Sequence, residues 1–306
     1  MPHTSRTTAL IPGAVLLSAV LAATLTGCTA PTVEESSGIQ VVASTSVYGD
    51  IARAIGGEAV SVTSLISDAA QDPHSYEASA RAQLAISDAD VVIENGGGYD
   101  DFVTSLLQGT DNTDATVLNA VALSGLGSSA GDFNEHVWYA LSAMGNLADE
   151  LSGVFSTLDP AHKAQFTANL ADFDRSLAQL QATVAAVKEQ HAGEGVAVTE
   201  PVPHYLLAAC GLIDETPAQF SRAVEEGIGV APAVMQRTLQ VLENGHVRLL
   251  VYNEQTSGPE TEQLIAAAKA SGIPVVPVTE TLPDGATYLS WMSDNLDAVK
   301  AALEDG

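Results

Sequence analysis

The sequence predicts an α/β fold with two lobes, each built on a parallel sheet, joined by one long connecting helix. Short β-rich runs alternate with helical patterns in both the first and the last third of the chain, and such alternation is typical of parallel sheets. Between them, residues 136 to about 190 carry no strand signal. Hydrophobic residues make up 46% of the 306 residues, which is enough for about two domains of ordinary size.

The N-terminal segment, residues 1–27, is predicted to be a signal peptide. An uncharged apolar run extends from Ala9 to Leu25 and ends in Leu25-Thr26-Gly27-Cys28. This ending resembles a bacterial lipobox, which implies cleavage after Gly27 and acyl chains on Cys28 that anchor the protein to the membrane. The alternative is an ordinary signal peptide followed by a chance cysteine. Residues 28–38 are polar and predict a flexible tether.

The first lobe is predicted to span residues 39–158. Four short runs rich in β-branched residues indicate strands, and amphipathic segments between them indicate helices. The predicted strands are Ile39–Ala43, Val60–Leu65, Asp90–Glu94 and Thr116–Leu118, and the predicted helices are Tyr48–Ile55, Ala78–Ser87 and Tyr99–Gln108.

Residues 159–192 are predicted to form the connecting helix. Apolar residues recur there at alternating spacings of four and three, which gives one stripe along a helix of about 30 residues. The stripe is Phe166, Leu170, Phe173, Leu177, Leu180, Val184 and Val187. A coiled-coil dimer is the alternative, but a strand pattern begins directly after Gly193, which favours a helix between two lobes.

The second lobe is predicted to span residues 193–306. The predicted strands are Val196–Val198, Val247–Tyr252 and Ile273–Val278, and the predicted helices are Pro232–Glu243, Pro259–Ala270 and Tyr288–Glu304. The continuous apolar run Ile273–Val278 predicts a strand buried on both faces. Cys210 lies in another apolar run and is predicted to be a buried, inert thiol.

The charge balance excludes several function classes. Lys and Arg total 11 against 38 Asp and Glu, so the formal net charge is -27. Such a chain is repelled by phosphate backbones, which excludes nucleic-acid binding, and it offers no basic patch for an anionic membrane. No lysine follows a glycine-rich loop, so the phosphate-binding loop of nucleotide hydrolases is absent. A cationic or neutral ligand is favoured.

Four side chains at strand or helix ends are candidate metal ligands: His74, His136, Glu200 and Glu280. Ligands of open α/β sheets bind beyond the carboxyl ends of the strands, where these residues are predicted to lie. Their separations of 62, 64 and 80 residues place them on different elements of both lobes. The pattern therefore predicts a metal site between the lobes, with His204 as an alternative third ligand.

Four motifs carry a resemblance to a known family. They are DPHSYE at 72–77, NEHVWY at 134–139, TEPVPHYLLAACGL at 199–212 and VTETLPDGATYLSWMSDNL at 278–296. From about residue 39 to the end, the chain resembles the metal-specific solute-binding lipoproteins of bacterial ABC importers for zinc or manganese. The resemblance implies a non-enzymatic receptor, lipid-anchored outside the cell membrane, that serves a permease and its ATPase. We expect a monomer.

The resemblance also implies roles for the candidate ligands. His74 and His136 come from the first lobe, and Glu200 occupies a third position that is His in many zinc-type members and Glu in manganese-type members. Glu280 stands where the family has a carboxylate, usually Asp. The segment 124–133 is short and lacks the His-rich loop of many zinc-type members. We expect one ion per chain, with Zn²⁺ slightly ahead of Mn²⁺.

Side chains near these ligands are predicted to support them, because ligands are themselves oriented by hydrogen bonds. The candidates are Asp72, Glu135, Asn253 and Gln255.

Three alternative functions remain open at this point. A metal-independent adhesin or structural lipoprotein needs no ion. A binding protein for an organic solute is disfavoured by the low aromatic content of 5%. A secreted metallohydrolase is disfavoured because a catalytic zinc keeps an open position beside three protein ligands, whereas this chain offers four and has no His-Glu-x-x-His motif.

Overall fold

The computed structural model describes residues 38–68, 76–127 and 133–305. The predicted signal peptide, the tether up to residue 37, Cys28 and His74 lie outside the described residues. Within them, no helix combines the length and apolarity that crossing a bilayer requires.

The first lobe is built on a four-stranded parallel sheet with the strand order β2-β1-β3-β4. The strands are β1 Ile39–Thr45, β2 Val60–Ile66, β3 Val91–Glu94 and β4 Thr116–Asn119. The helices are α1 Ser46–Gly56, α2 Ala80–Ser87, α3 Asp101–Gln108 and α4 Ala120–Leu123. Polar side chains cap two of them: Ser79 accepts from the N–H of Ala82, and Asn119 from the N–H of Ala122.

Two helices follow the first sheet. Helix α5 spans Leu141–Leu158, a 3₁₀ turn spans Pro160–His162, and helix α6 spans Lys163–His191. Asp159 separates α5 from the turn and caps it by accepting from the N–H of Ala161. The predicted apolar stripe of α6 is buried except for Leu170, which is half-buried. This confirms a single long helix with one buried face.

The second lobe repeats the strand order of the first, as β6-β5-β7-β8, again fully parallel. The strands are β5 Gly195–Val198, β6 Ile213–Asp214, β7 Val247–Asn253 and β8 Val275–Val278. The helices are α7 His204–Ala209, α8 Ala218–Glu225, α9 Pro232–Glu243, α10 Pro259–Ala270 and α11 Tyr288–Asp305. Two parallel-sheet lobes joined by α6 confirm the predicted fold class.

The second sheet differs from the prediction in two respects. Strand β8 is an edge strand, and Pro277 within it is exposed, so the prediction of a strand buried on both faces was wrong. Proline has no N–H for a second ladder, which restricts it to sheet edges. The elements β6, α4, α7 and α8 were not predicted; the first three have only two to six residues, which is too few for a periodic pattern.

One hydrophobic core continues through both lobes. In β1, Val41 and Ala43 face this shared core, whereas Val42 faces an outer cluster beneath α2 and α3. In the second sheet, Val196 and Val198 face the shared core. Helix α6 packs against α1 and α5 of the first lobe and against α7 and α11 of the second. The lobes are therefore packed on a common helix.

Hydrogen bonds also join the lobes directly. The hydroxyl of Tyr139 donates to the carbonyl of Thr279 at 2.8 Å, and the hydroxyl of Tyr288 donates to the carbonyl of Trp138 at 2.9 Å. The N–H of Tyr288 donates to Asp50 at 2.7 Å. Because these groups are buried or half-buried, opening the lobes exposes polar groups that must find new partners.

The thiol of Cys210 is buried, and burial raises its pKa to about 11. It is therefore protonated at neutral pH, which confirms the prediction of an inert thiol.

Replacing Leu177 with Ala tests the role of α6 in joining the lobes. Leu177 is 4% exposed and packs against Gly145 of α5. We expect the free energy of unfolding to fall by about 2–5 kcal/mol, as for other buried Leu→Ala changes. The exposed Gln179→Ala on the same helix is the matched control, with an expected change within about 0.5 kcal/mol. Equal denaturation midpoints for the two variants would contradict the role of α6 in joining the lobes.

Candidate metal centre

The candidate centre lies where the carboxyl ends of the strands of the two lobes approach each other. Glu200 follows β5, Asn253 ends β7 and Glu280 follows β8. From the first lobe, His136 reaches this point, with its Nε2 3.8 Å from Glu280 Oε2. The structure therefore brings together three of the predicted ligands, His136, Glu200 and Glu280, on separate elements.

The imidazole of His136 is fully buried and held by Asn134. The Asn134 side-chain oxygen accepts from the backbone N–H of His136 at 3.0 Å and lies 2.7 Å from Nδ1. An amide oxygen only accepts, so Nδ1 carries a proton, and the neutral form of the ring has its lone pair at Nε2. The Asn134 amide nitrogen donates to the carbonyl of Pro201 at 2.8 Å, which fixes the amide orientation across the lobes.

The backbone at His136 is not yet helical. His136 precedes a 3₁₀ turn, Val137–Tyr139, and α5 begins only at Leu141. Trp138 packs edge-on against the imidazole, with ring centroids 5.1 Å apart. The first residue of the aromatic pair after His136 thus lies directly beside the ring.

Glu200 and Glu280 are each 2% exposed and are held by one amide group. The Asn253 side-chain nitrogen donates to Glu200 at 2.5 Å and to Glu280 at 2.8 Å. Asn253 is itself fixed, because its backbone N–H donates to the hydroxyl of Thr199 at 3.0 Å. One residue at the end of β7 therefore orients a carboxylate from each neighbouring strand.

Two further side chains orient Glu280. The Gln255 side-chain oxygen accepts from the backbone N–H of Glu280 at 2.5 Å, and the Tyr99 hydroxyl donates to its carboxylate at 3.1 Å. Burial, and then the charge of Glu280, raise the pKa of Tyr99 well above its usual value, so this hydroxyl stays a donor. Asn253 and Gln255 thus contact the candidate ligands, as the sequence predicts.

A residue that the sequence analysis missed also reaches the centre. Glu225, the last residue of α8, has its Oε1 3.7 Å from His136 Nε2, and its side chain is 16% exposed. Glu135, His136 and Glu225 offer ligand atoms that all lie within 4.8 Å of one another. In the sequence, Glu225-Glu226 resembles any acidic helix end, so no local signal distinguishes the two residues.

His204, the alternative third ligand, is exposed at the first residue of α7, with its ring near Tyr205. Glu200, in contrast, is buried beside Asn253. This difference in burial favours Glu200 over His204. His74 lies outside the described residues and stays a prediction.

The chemistry of these side chains suits a divalent cation. Imidazole nitrogen with carboxylate oxygen is a donor set for ions such as zinc and manganese. Glu200 and Glu280 both accept from the Asn253 side chain. Glu225 and Glu280 both lie near the imidazole of His136. Carboxylates are therefore concentrated at a buried site. Such charges repel one another unless a proton or a cation neutralises them.

Comparison with known proteins now identifies the family. Residues 41–302 match the family described as ZnuA, zinc-uptake complex component A, periplasmic. The chain belongs to this family. The match includes the described candidate ligands and confirms the resemblance seen in the four sequence motifs.

Individual relatives agree with this assignment. The manganese-binding lipoprotein MntA of Bacillus subtilis (strain 168) is 34% identical over 174 residues, which cover 54% of this chain and 56% of MntA. The match thus spans little more than half of that relative. The manganese ABC transporter substrate-binding lipoprotein PsaA of Streptococcus pneumoniae is 23% identical over 300 residues, covering 91% and 94% of the two chains.

A solved structure has the same fold as this ZnuA-family chain. The substrate-binding protein FpvC of Pseudomonas aeruginosa, in complex with Mn²⁺, superposes with a TM-score of 0.72 and 25% identity, over 87% of this chain and 98% of FpvC.

Replacing Glu280 with Gln tests whether the carboxylates repel one another. Gln keeps the shape and still accepts from Asn253, but removes one negative charge. In chelator at neutral pH we expect the free energy of unfolding to rise by about 1 kcal/mol, which raises Tm by about 2–4 °C. Thermal denaturation checks this, with the exposed Glu189→Gln as the charge-matched control. A lower Tm for Glu280→Gln than for the native protein would show that the negative charge of Glu280 does not destabilise the fold.

Proposed function

We propose that the protein captures one divalent transition-metal ion, Zn²⁺ or Mn²⁺, outside the cell membrane and delivers it to the permease of an ABC importer. The observation that carries the proposal is the buried imidazole of His136 facing the buried carboxylate of Glu280 across the lobes. Family membership and the names of the relatives support the same function.

The proposed ligands are His74, His136, Glu200 and Glu280. The three described residues are oriented by hydrogen bonds before any ion binds, so little reorganisation is needed on capture. The sequence places His74 after the predicted first-lobe strand Val60–Leu65, whose carboxyl end lies on the side of the sheet that carries ligands.

Mn²⁺ is favoured as the cargo, in place of the slight preference for Zn²⁺ stated from the sequence. Manganese accepts more oxygen ligands than zinc, which is most often four-coordinate. The described cluster is rich in carboxylates, and relatives along the chain carry manganese in their names. The carboxylates favour a higher coordination number than structural zinc prefers, and the relatives' names agree with manganese.

The proposal includes a lipid anchor at Cys28, which places the receptor on the outer face of the cell membrane as a monomer. The relatives MntA and PsaA are named as lipoproteins, which supports this placement. The permease and its ATPase are then separate chains.

The protein is proposed to be a receptor and not an enzyme. A catalytic zinc has three protein ligands and keeps one position for water, whereas four protein ligands are proposed here. A metal-free adhesin has no need of two buried carboxylates beside a buried imidazole, whereas a metal receptor does.

Metal retention tests the proposal. Protein that begins at residue 28, with Cys28→Ser, is stripped with chelator, reloaded with equimolar Zn²⁺ and Mn²⁺, desalted, and analysed by mass spectrometry. We expect about one ion per chain, because each of the four proposed ligands supplies the same site. His136→Ala is expected to lose the ion.

His246→Ala and His204→Ala are the matched controls, since both histidines are exposed. Both are expected to retain the ion. Retention by His136→Ala, or loss in His204→Ala alone, would refute the ligand assignment. No retained ion in the native protein would refute the metal receptor and favour the adhesin.

A further inference from the structure

We propose that Asp100 is a positioning residue that slows release of the bound ion by holding the loop of residues 95–100. From the first lobe, this loop orients His136 and reaches Glu280 of the second lobe. The inference rests on the proposed function, which it deepens, because it names what controls retention of the ion. The loop sequence, Asn-Gly-Gly-Gly-Tyr-Asp, belongs to none of the four sequence motifs.

The loop connects β3 to α3 and is buried at both ends. Asn95 and Asp100 are 0% and 2% exposed and Tyr99 is 4% exposed, whereas Gly97 and Gly98 lie at the surface. All three glycines of the loop have positive φ, a conformation that glycine adopts without strain. The chain therefore doubles back, so that its last residue meets its first.

The carboxylate of Asp100 closes the loop. One oxygen accepts from the backbone N–H of Asn95 at 2.6 Å, and the other accepts from the backbone N–H of Gly96 at 2.8 Å. Hydrogen bonds to a carboxylate are stronger than those between neutral groups. Because an amide has only one accepting oxygen, asparagine at position 100 would leave one of these N–H groups without this acceptor.

Asn95 connects the loop to His136. Its side-chain nitrogen donates to the carbonyl of Glu135 at 3.0 Å and to that of Gly96 at 2.8 Å. Its side-chain oxygen accepts from the hydroxyl of Tyr48, so both ends of the amide are held. Since Glu135 directly precedes His136, these bonds fix the backbone from which the imidazole extends.

Tyr99 connects the loop to Glu280. Its hydroxyl donates to the Glu280 carboxylate at 3.1 Å, across the lobes. Its ring lies 4.8 Å from that of Trp138 and 6.0 Å from the imidazole of His136, measured between centroids. Because Tyr99 directly precedes Asp100, a shift of Asp100 moves the residue that contacts both candidate ligands.

One loop of the first lobe thus contacts a candidate ligand from each lobe. Groups that orient metal ligands raise affinity, because the ligands need little reorganisation to bind. An ion held by both His136 and Glu280 leaves only when one of them moves away, and the loop opposes movement of either. Loss of the Asp100 contacts should therefore weaken Mn²⁺ and Zn²⁺ binding alike, through faster release.

The test compares Asp100→Asn with Asp101→Asn, which removes the same charge from the adjacent, exposed residue. Mn²⁺ and Zn²⁺ affinities are measured by competition with a chelating dye, and release into excess chelator is measured by stopped flow. For Asp100→Asn we expect both affinities to fall about 10-fold, as for other groups that orient metal ligands. Asp101→Asn should stay within about twofold of the native protein, as for other surface changes.

A double-mutant cycle tests whether Asp100 acts through the loop. Tyr99→Phe removes the hydroxyl that reaches Glu280 and keeps the ring, so we expect it to lose affinity as well. Both changes act on Glu280 through one loop, so the double variant should lose less than the product of the two single losses.

The visible absorption of bound Co²⁺ gives a spectroscopic readout, because it depends on the geometry of the ligands. The spectrum of Asp100→Asn should differ from that of the native protein. Ile86→Val, in the outer cluster beneath α2, lowers stability without touching the loop, and its spectrum should be native.

The outcomes separate this inference from the proposed function. If Asp100→Asn binds both metals as the native protein does, the inference is wrong but the receptor stands. Losses that multiply in the double variant would also overturn action through the loop. If Asp100→Asn does not fold, Tyr99→Phe decides, and native affinity in that variant overturns the inference. If the native protein binds neither metal, the proposed function itself is wrong.

Discussion

Two buried carboxylates share one amide nitrogen, and the rest of the centre depends on that arrangement. Asn253 donates to both Glu200 and Glu280, and its own backbone is tied to Thr199. Three parallel strands must end at the same level for these groups to meet, which the register of the second sheet provides. The arrangement concentrates negative charge in a site with little water, so it favours binding of a cation.

The first lobe must hold its imidazole against those carboxylates. Asn134 holds the ring with two contacts. Its side-chain oxygen accepts from the His136 ring, and its side-chain nitrogen donates to the carbonyl of Pro201 in the second lobe. Helix α6 packs on helices of both lobes, and the shared core leaves no flexible linker among the described elements at their junction. A continuous helix hinges poorly, so this packing opposes a wide opening of the lobes.

Part of this structure could be predicted from the sequence for clear physical reasons. The helix Pro259–Ala270 was predicted to the residue, because proline at the first position and a strand on either side define its ends. The positions of Glu200 and Glu280 at one edge of the sheet could be predicted because both follow parallel strands. Glu225 could not, since only the packing of α8 distinguishes it from its neighbour. The burial of the run Ile273–Val278 on both faces was predicted wrongly, because its apolar pattern outweighed Pro277, which indicates an edge strand.

The most direct test of the account is a crystal structure of the metal-loaded protein with anomalous data at the manganese and zinc edges. The account predicts one anomalous peak between the lobes, within about 2.0–2.3 Å of His136 Nε2 and of oxygens of Glu200 and Glu280. A fully loaded protein with its peak elsewhere, or with His136 turned away from the ion, would contradict it.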